Sequence, residues 1–413
     1  MKRTIAAALM AFSVCCLIVC AVRFFRNSTE ASPVFAQSTS EQKAEPEEET
    51  LPSPTPGPQI TTLRFSATGD NLIHNGIYEQ AKRRAEQNGT GGYDFSYCYD
   101  QVRQFYSDFD INWINQETLV SDTLEPSTYP CFSTPGDMGR QLYKLGFRAF
   151  NLSNNHTYDK GTQGLQATMD FWSSMPEDVI TAGLYTEDST SPVIQTVNGV
   201  RIAYLGFTEH TNGIKTPSDA PSHVIYASEL DVMQQMLEQA RSDADLVVVS
   251  VHWGVEGSHS VTQAQRDLAQ KMADWGADVI IGTHPHVVQT AQWLTAADGR
   301  QAFVAYSLGN FLNAQSTADT MIGMILTFTI EKTTQPDGTS STVIRDPLFY
   351  PTVNHYDANY ANIRIYLLKD YSDELAAAHG VRGNFPGFSL SYITSMLQEN
   401  VDPEFLALPK ETV

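Results

Sequence analysis

From residue 61 onward, short segments rich in apolar and β-branched residues alternate with segments of helical spacing. The helical spacing is clearest in ELDVMQQMLEQARSD and TQAQRDLAQKMADWG, where apolar residues recur every three or four positions. Strands that alternate with helices in this way predict an α/β sheet. Polar residues end five of the strand-like segments; in chain order they are Asp70, Glu117, Asn155 with His156, His252, and His284 with His286.

These polar strand ends predict one shared site. In open α/β folds, ligands bind beyond the carboxyl ends of the strands, so side chains at successive strand ends meet at one edge. His284 and His286 face a common centre if the chain turns sharply, and Gly282 and Pro285 permit such a turn. Carboxylate, amide and imidazole ligands without a thiolate suit manganese, iron or zinc. Any one of these residues alone is an ordinary loop residue, but together they predict a metal site.

The predicted ligand set accommodates two divalent ions, which lie roughly 3.5–4 Å apart in dinuclear enzymes and share a bridging ligand. The ligands divide into Glu117 as the bridge, Asp70 and His286 on the first ion, and Asn155, His252 and His284 on the second. His156 follows a ligand directly in the sequence. We therefore expect His156 to act as the general acid that protonates a leaving oxygen.

Three further polar residues lie near these strand ends, and each has a structural alternative. Asn115 either supports the ligands or caps its strand. Glu256, after the His-Trp-Gly turn, either contacts substrate or is a solvated loop charge. Asn310 in SLGNF either orients the chain near the site or serves only in a turn. Histidines without a spacing that ties them to the site are interpreted as surface or core residues: His210, His223, His259 and His355.

The charge of the chain limits its partners. It carries 47 acidic residues against 26 Lys and Arg, for a net charge of −21. A surface of this sign repels phosphate backbones, so we expect no nucleic-acid partner. It also repels an anionic polymer unless metal ions or a local basic patch intervene.

The N-terminus predicts a membrane anchor. An uncharged, mostly apolar run at 5–22 has basic residues on both sides. Its length is at the short end of the roughly 17–25 residues that span a bilayer. The sequence Val34-Phe35-Ala36 offers a signal-peptide cleavage site, but it lies too far beyond the apolar run for a typical signal. We expect an uncleaved, single-pass anchor in the cell membrane, with the folded domain outside the cell.

The predicted domain organisation follows from composition. The segment after the anchor is rich in Ser, Glu and Pro, and is too poor in apolar residues to form a core. The predicted boundaries are 1–27 for the anchor or signal segment, 28–58 for a disordered linker, 59–360 for the main domain, and 361–413 for a C-terminal extension that packs on it.

The sequence of the main domain leaves its disulfide state open and suggests how its later strands are arranged. Outside the apolar segment, Cys98 and Cys131 either form one disulfide or remain buried free thiols. The later runs QAFVAYSLGNF, MIGMILTFTIEK and TVIRDPLFYPTV follow one another without intervening helices, and they predict a second, more antiparallel sheet.

Six motifs in fixed order carry a family resemblance: ATGDNLIHNGIY, INQETL, NLSNNHTYDKG, VHWGVE, IIGTHPHVVQ and YSLGNF. They resemble the CapA family of poly-γ-glutamate capsule biosynthesis proteins, within the calcineurin-like metallophosphatase superfamily. The resemblance covers about residues 61–330 and runs on toward 360. It implies a four-layer α/β/β/α sandwich with a dinuclear metal site, and a role at the bacterial cell envelope.

The chain departs from the superfamily pattern at three positions. The usual Asp-x-His opening is absent, since Asn71 and Leu72 follow Asp70, and His74 either replaces the missing ligand or lies outside the site. Glu117 stands where the superfamily has a bridging Asp, as in the CapA family. The Gly-Asn-His motif becomes Asn-Asn-His, which keeps the ligand Asn155 and the acid after it.

The resemblance implies a role in the biosynthesis of poly-γ-glutamate or a related envelope polymer, and with this site we expect a dinuclear-metal-dependent hydrolase that acts on a phosphoester or an amide of the polymer or its precursor. Its partners would be the membrane, an anionic polymer or its precursor, and other membrane subunits of a polymer synthase. The alternative is a non-catalytic, metal-binding component of a synthesis, export or anchoring complex. A secreted nucleotidase or nuclease is disfavoured by the family resemblance, and action on long nucleic acids is also disfavoured by the charge.

Overall fold

Two large β-sheets with helices around them make up the part of the chain that the computed structural model describes, residues 57–186 and 189–408. The predicted anchor at 1–27 and nearly all of the predicted linker lie outside these residues. No helix within the described ranges is both long and apolar enough to cross a membrane.

The strands are β1 (Gln59–Asn71), β2 (Ile111–Gln116), β3 (Val120–Ser121), β4 (Thr134–Pro135), β5 (Phe147–Asn151), β6 (Ile180–Ala182), β7 (Val193–Val197), β8 (Val200–Thr208), β9 (Leu246–His252), β10 (Val279–Thr283), β11 (Val288–Thr295), β12 (Gln301–Leu308), β13 (Asn310–Leu312), β14 (Ile322–Thr334), β15 (Ser340–Asp357) and β16 (Ala361–Leu367).

The α-helices are α1 (Asn75–Asn88), α2 (Ser96–Tyr99), α3 (Arg103–Tyr106), α4 (Asp137–Leu145), α5 (Gly161–Ser173), α6 (Leu230–Asp243), α7 (Gln263–Trp275), α8 (Asp373–Ala378) and α9 (Leu390–Asn400). Short 3₁₀ turns occupy 319–321, 358–360, 368–370, 380–383 and 403–405.

The first sheet has eight strands in the order β16-β15-β14-β1-β2-β5-β6, with β13 paired to the end of β1. Strand β1 runs parallel to β2 and to β13, and antiparallel to β14. Because β2 and β5 continue the parallel arrangement, the carboxyl ends of β1, β2 and β5 lie along one edge. That edge carries Asp70 and the residues that follow β2 and β5.

The second sheet has six strands in the order β11-β12-β10-β9-β8-β7. Strands β8, β9, β10 and β12 are parallel, whereas β7 and β11 are antiparallel edge strands. His252 ends β9, and His284 comes directly after β10. The predicted ligands are therefore supplied by both sheets.

Strand β9, LVVVSVH, shows why these segments fold as internal strands. All seven residues are buried, and Val249 and Val251 pack with α6 and α7 on one face. Leu246 and Val248 on the other face share a core cluster with residues of the first sheet, such as Phe328. A strand that is buried on both faces is continuously apolar, which is how β9 reads in sequence. The described architecture is thus mixed α/β, as predicted.

The prediction of a separate antiparallel sheet near the C-terminus is wrong. Strand β12 lies parallel to β10 inside the second sheet. Strands β14, β15 and β16 instead extend the first sheet beyond β1, where β14 pairs with β1 over ten consecutive residues from Gln59 to Thr68. Alternation and length identify a strand, but they do not specify which sheet edge it joins.

Both cysteines of the described domain are free thiols. Cys98 is buried in α2, and this burial raises the pKa of its thiol to about 12. Cys131 is half-buried in the loop before β4. Of the two alternatives left open by the sequence, the structure has the one without a disulfide.

A side chain at Gly282 in β10 is expected to destabilise the protein. A Cβ at this position would lie 2.0 Å from the carbonyl oxygen of Tyr306 and 2.5 Å from Nε1 of Trp253. We expect Gly282→Ala to lower the free energy of unfolding by about 3 kcal/mol, because backbone and a packed indole must both move. Gly383→Ala is the matched control, since nothing lies within 4 Å of its Cβ position. Equal denaturation midpoints for the two variants would contradict the prediction.

His259 gives the fold a pH-dependent contact between β11 and the turn at 319–321. Its Nδ1 lies 2.7 Å from the Val288 carbonyl oxygen, and its Nε2 lies 3.3 Å from Oδ2 of Asp319. Burial on its own lowers the pKa of His259, but the Asp319 carboxylate and the Val288 carbonyl outweigh it, so the pKa is raised. Tyr392 also donates to Asp319.

We expect His259→Gln to destabilise the protein most at acid pH. A raised folded-state pKa means that the contribution is fully present below about pH 6.5, the unfolded value, and is lost as pH rises through the folded value. The expected difference in unfolding free energy is about 1 kcal/mol at pH 5.5, and it shrinks toward pH 9. His223→Gln is the control, because its ring makes no hydrogen bond among the described residues. A pH-independent difference would refute the prediction.

Candidate metal centre

Asp70, at the end of β1, is the first fixed point of the site. Its side chain is fully buried, and Oδ1 accepts a hydrogen bond of 2.7 Å from Nδ2 of Asn115. Its Oδ2 accepts from the backbone N–H of His284 at 3.2 Å. Because Asp70 belongs to the first sheet and His284 to the second, this carboxylate connects the two sheets at the site.

A chain of amides holds Asp70 in place. Nδ2 of Asn151 donates to Oδ1 of Asn115 at 2.8 Å, and the amide of Asn115 in turn donates to Asp70. The structure therefore places Asn115 in support of a candidate ligand, which is the first of its two predicted roles. Asn151, at the end of β5, was missed from the sequence. A Cβ at Gly206 would lie 2.2 Å from its Oδ1, so glycine there makes room for this amide.

Glu117 is buried without a hydrogen-bond partner. Its side chain is inaccessible to solvent, and neither Oε1 nor Oε2 has a partner among the described residues. Oε1 lies 3.7 Å from Nε2 of His252 and 3.7 Å from Nε2 of His286. Burial raises the pKa of Glu117 well above its usual range. A buried carboxylate in this position is costly unless a cation or a donor approaches it.

The nitrogen and oxygen atoms of Asn155, His252 and His284 converge beside Glu117. Nε2 of His252 lies 3.0 Å from Oδ1 of Asn155 and 3.1 Å from Nδ1 of His284. The other ring nitrogen of His252 lies 3.0 Å from the Thr283 hydroxyl. Burial and neighbouring imidazoles lower the pKa of His252 well below its usual value, and that of His284 to about 3. Both rings are therefore neutral at pH 7 and present lone pairs, as metal ligation requires.

His286 faces the other side of the site. Its Nδ1 lies 3.0 Å from Oδ1 of Asn310 and 3.2 Å from Oδ2 of Asp70. Burial alone lowers the pKa of His286, but the carboxylates of Glu117 and Asp70 outweigh it and raise the pKa to about 9. Asn310 is itself aligned with Asp70 in the β1–β13 pairing, and its Nδ2 donates to Gln315. This amide thus contacts a candidate ligand directly.

The THPH turn bends as predicted, but the bend is located at the histidines themselves. His284 has φ 99° and His286 has φ 60°, both in a region that non-glycine residues rarely adopt. Gly257 donates its N–H to the Pro285 carbonyl at 2.8 Å, and Asp70 holds the His284 N–H. Strain of this kind persists only where surrounding contacts enforce it, and it is typical of functional sites.

His156 forms a buried pair with Asp159. Nδ1 of His156 lies 2.8 Å from Oδ2 of Asp159, and the same oxygen accepts the N–H of Phe132 at 2.7 Å. The Phe132 ring packs edge-on against His156, with 4.7 Å between centroids. Asp159 thereby fixes Nδ1 as the protonated nitrogen when the imidazole is neutral. Asp159 was missed, although it stands three residues after His156 in the quoted motif.

The remaining candidates, His74 and Glu256, lie outside the group of proposed ligands. His74 packs edge-on against Phe132, and its Nδ1 accepts the N–H of Ala314 at 3.2 Å or, in the other tautomer, donates to Leu72 O at 3.1 Å. Burial lowers its pKa to about 4. Glu256 is exposed in the loop after β9, close enough for its charge to raise the pKa of Glu117. The structure brings neither residue into contact with the candidate ligands.

Two residues of the loop after β8 were also missed. The His210 ring packs edge-on against His284, with centroids 4.9 Å apart. Oδ1 of Asn212 accepts from Nδ2 of Asn155 at 3.3 Å. The strand-end signal that identified the other residues applies to β8 as well, because His210 comes two residues after Thr208. The interpretation of His210 as an unrelated histidine overlooked this signal.

This donor set fits a divalent cation. Asp70, Glu117 and His286 are all buried, and each offers one possible ligand atom. These three atoms lie within 4.8 Å of one another. The carboxylate of Glu117 has no hydrogen-bond partner in the described part of the chain, and the imidazoles of His252 and His284 are neutral. Oxygen and imidazole ligands without sulfur suit zinc, iron or manganese. The set is therefore compatible with metal use, and it specifies neither the identity nor the number of ions.

Comparisons with known proteins agree with the motif resemblance. Residues 64–315, more than half of the chain, match the family described as bacterial capsule synthesis protein PGA_cap. The chain is 34% identical over 193 residues to the PGA biosynthesis protein CapA of Bacillus subtilis (strain 168), covering 46% of this chain and 49% of that protein. It is 37% identical over 178 residues to the capsule biosynthesis protein CapA of Bacillus anthracis, covering 42% of each chain.

Two solved structures share a distant similarity with this chain. The NAD nucleotidase of Haemophilus influenzae aligns over 83% of this chain and 60% of its own, with 13% identity and a TM-score of 0.41. A putative 5'-nucleotidase from Staphylococcus aureus aligns over 76% and 55%, with 15% identity and a TM-score of 0.39. The matched regions span about half the length of the curated relatives or less. On the family match and these two relatives, the chain belongs to the bacterial capsule synthesis family PGA_cap, which confirms the CapA resemblance seen in its motifs.

Proposed function

We propose that this chain is a metal-dependent hydrolase of poly-γ-glutamate capsule biosynthesis, or of a related envelope polymer, built on a four-layer sandwich of the metallophosphatase type. The observation that carries the proposal is Glu117, a buried carboxylate with no hydrogen-bond partner among the described residues, 3.7 Å from two imidazoles. Divalent ions bound there would supply Lewis acidity and lower the pKa of water.

The residues of the chain have distinct tasks in this proposal. Glu117 would contribute to holding both ions, Asp70 and His286 would hold the first, and Asn155, His252 and His284 would hold the second. His156 holds a proton for the leaving oxygen, and its partner Asp159 keeps the ring oriented at 2.8 Å. Asn115 and Asn310 hold Asp70 and His286 through their amides. Glu256, exposed in the loop after β9, would contact the substrate, and His74 supplies no ligand in this proposal.

The proposed setting is the outer face of the cell membrane, with the N-terminal apolar run as a single-pass anchor. The proposed partners are an anionic polymer or its precursor and other membrane subunits of a synthase. The acidic chain supports a role for metal ions in such binding, because a net charge of −21 repels a polyanion unless cations intervene. The second candidate is a non-catalytic, metal-binding component of a synthesis, export or anchoring complex.

Metal binding is tested with Glu117→Gln in the full-length chain. We expect manganese or zinc affinity to fall by more than about 100-fold, because the substitution removes the charge that both proposed ion positions share. Bound metal is quantified by elemental analysis, and affinity by calorimetry. Glu399→Gln, on the exposed face of α9, is the control and should bind like wild type. Wild-type protein that binds no divalent metal would sink the proposal.

Catalysis is tested with His156→Ala in the metal-loaded chain, assayed on simple phosphomonoesters and phosphodiesters. We expect turnover to fall by about 10²–10⁴-fold while bound metal is retained, as for loss of a general acid. His223→Ala is the matched control outside the site. Turnover that survives in His156→Ala would refute its role. Metal binding without turnover on any phosphoester or amide substrate would favour the non-catalytic alternative.

A further inference from the structure

The loop after β8, residues 209–213, contacts candidate ligands from both sheets. His210 packs against His284 of the second sheet, with ring centroids 4.9 Å apart and planes at 83°. Asn212 hydrogen-bonds to Asn155, which follows β5 of the first sheet. Neither residue belongs to the proposed ligand set. The loop therefore lies where it can hold the proposed ligands in place.

The contact with Asn212 decides which atom of Asn155 faces the site. Nδ2 of Asn155 donates to Oδ1 of Asn212 at 3.3 Å, and Oδ1 of Asn155 lies 3.0 Å from Nε2 of His252. An amide has a donor end and an acceptor end, and its hydrogen-bond partners select between the two orientations. A carbonyl oxygen binds a cation, whereas an NH₂ group does not. An acceptor at position 212 therefore favours the orientation of Asn155 that is able to ligate.

The backbone of the loop suits this task. Asn212 has φ 51° and Gly213 has φ 76°, so the chain makes a tight left-handed turn that asparagine and glycine tolerate best. The N–H of Asn212 points to Nδ1 of His210 at 3.4 Å. The Thr208 hydroxyl donates to the His210 carbonyl at 2.9 Å. These contacts hold the exposed side chain of Asn212 against a buried ligand.

We propose that Asn212 is a positioning residue of the metal centre, which holds the amide of Asn155 with its oxygen toward the site. The inference rests on the proposed function, because it requires that Asn155 ligate an ion. It predicts that an exposed loop side chain controls metal affinity without touching the metal. Partners that orient a ligand typically contribute about 10–100-fold to metal affinity.

Two substitutions at one position separate the side chain from the backbone. Asn212→Gly removes the acceptor and keeps the left-handed turn without strain. Asn212→Asp keeps an acceptor oxygen toward Nδ2 of Asn155. Asn198→Gly is the matched control: Asn198 is also exposed, has φ 48°, and lies in the turn between β7 and β8, at the opposite end of β8 from the site.

Manganese affinity of the full-length chain is measured by calorimetry for all four proteins. We expect Asn212→Gly to weaken binding by about tenfold or more, and Asn212→Asp and Asn198→Gly to bind within about threefold of wild type. Wild-type affinity in Asn212→Gly would overturn the inference and leave the metal centre standing. Equal losses in Asn212→Gly and Asn198→Gly would assign the effect to the backbone, and would also overturn it. Absence of metal from the wild type would remove the proposed function and the inference together.

Discussion

The buried carboxylate of Glu117 is the constraint on which the rest of the site depends. A carboxylate without a hydrogen bond in the interior is among the costliest groups a fold can hold, and here it lies between two imidazoles at 3.7 Å. Burial lowers the pKa of both imidazoles, but the carboxylates of Glu117 and Asp70 outweigh it at His286 and raise its pKa to about 9. A divalent cation held by Glu117, Asp70 and His286 would offset the cost of the buried carboxylate.

The second constraint is that the site has to be assembled from two sheets. Asp70 and Asn310 are held in register by the pairing of β1 with β13, while His252 and His284 come from neighbouring strands of the other sheet. Glycines permit close backbone approaches next to the ligands. A Cβ at Gly69 would lie 1.9 Å from the Gly309 carbonyl oxygen, and one at Gly282, within the second sheet, would lie 2.0 Å from the Tyr306 carbonyl oxygen. Gly69 directly precedes Asp70 and Gly282 lies two residues before His284, so the strands that carry these ligands need small residues in order to pack.

Sequence reasoning was most reliable where a single physical rule applied. Apolar segments buried on both faces, such as β9, read directly as strands. Asp70, Glu117 and His252, which the strand-end rule grouped, lie near one another, although His252 comes from the other sheet. The prediction from sequence failed for sheet membership, which depends on the strand that each strand pairs with. The residues of β14 and β15 have the same alternating apolar pattern whichever sheet these strands join. Supporting amides were equally invisible in the sequence.

Asn151 and Asn212 illustrate that last failure. Neither residue has a spacing that distinguishes it from the other asparagines of the chain. Their roles follow only from hydrogen bonds to residues distant in the sequence: Asn151 bonds to Asn115, and Asn212 bonds to Asn155. Asp159 and His210 were different, because the information was present. Asp159 stands within a quoted motif, and His210 follows a strand end that the rule should have included.

Strain at the THPH turn shows how such a centre is kept ready for a ligand. Two left-handed non-glycine residues, His284 and His286, cost of order 1–3 kcal/mol each. The compensating free energy comes from elsewhere: from the fully buried strand β10, and from the hydrogen bond of the His284 N–H to Asp70. The fold thus gives up some stability to hold the two imidazole rings in the orientation that ligation requires. A relaxed turn would leave that ordering to be done at binding, with correspondingly weaker affinity.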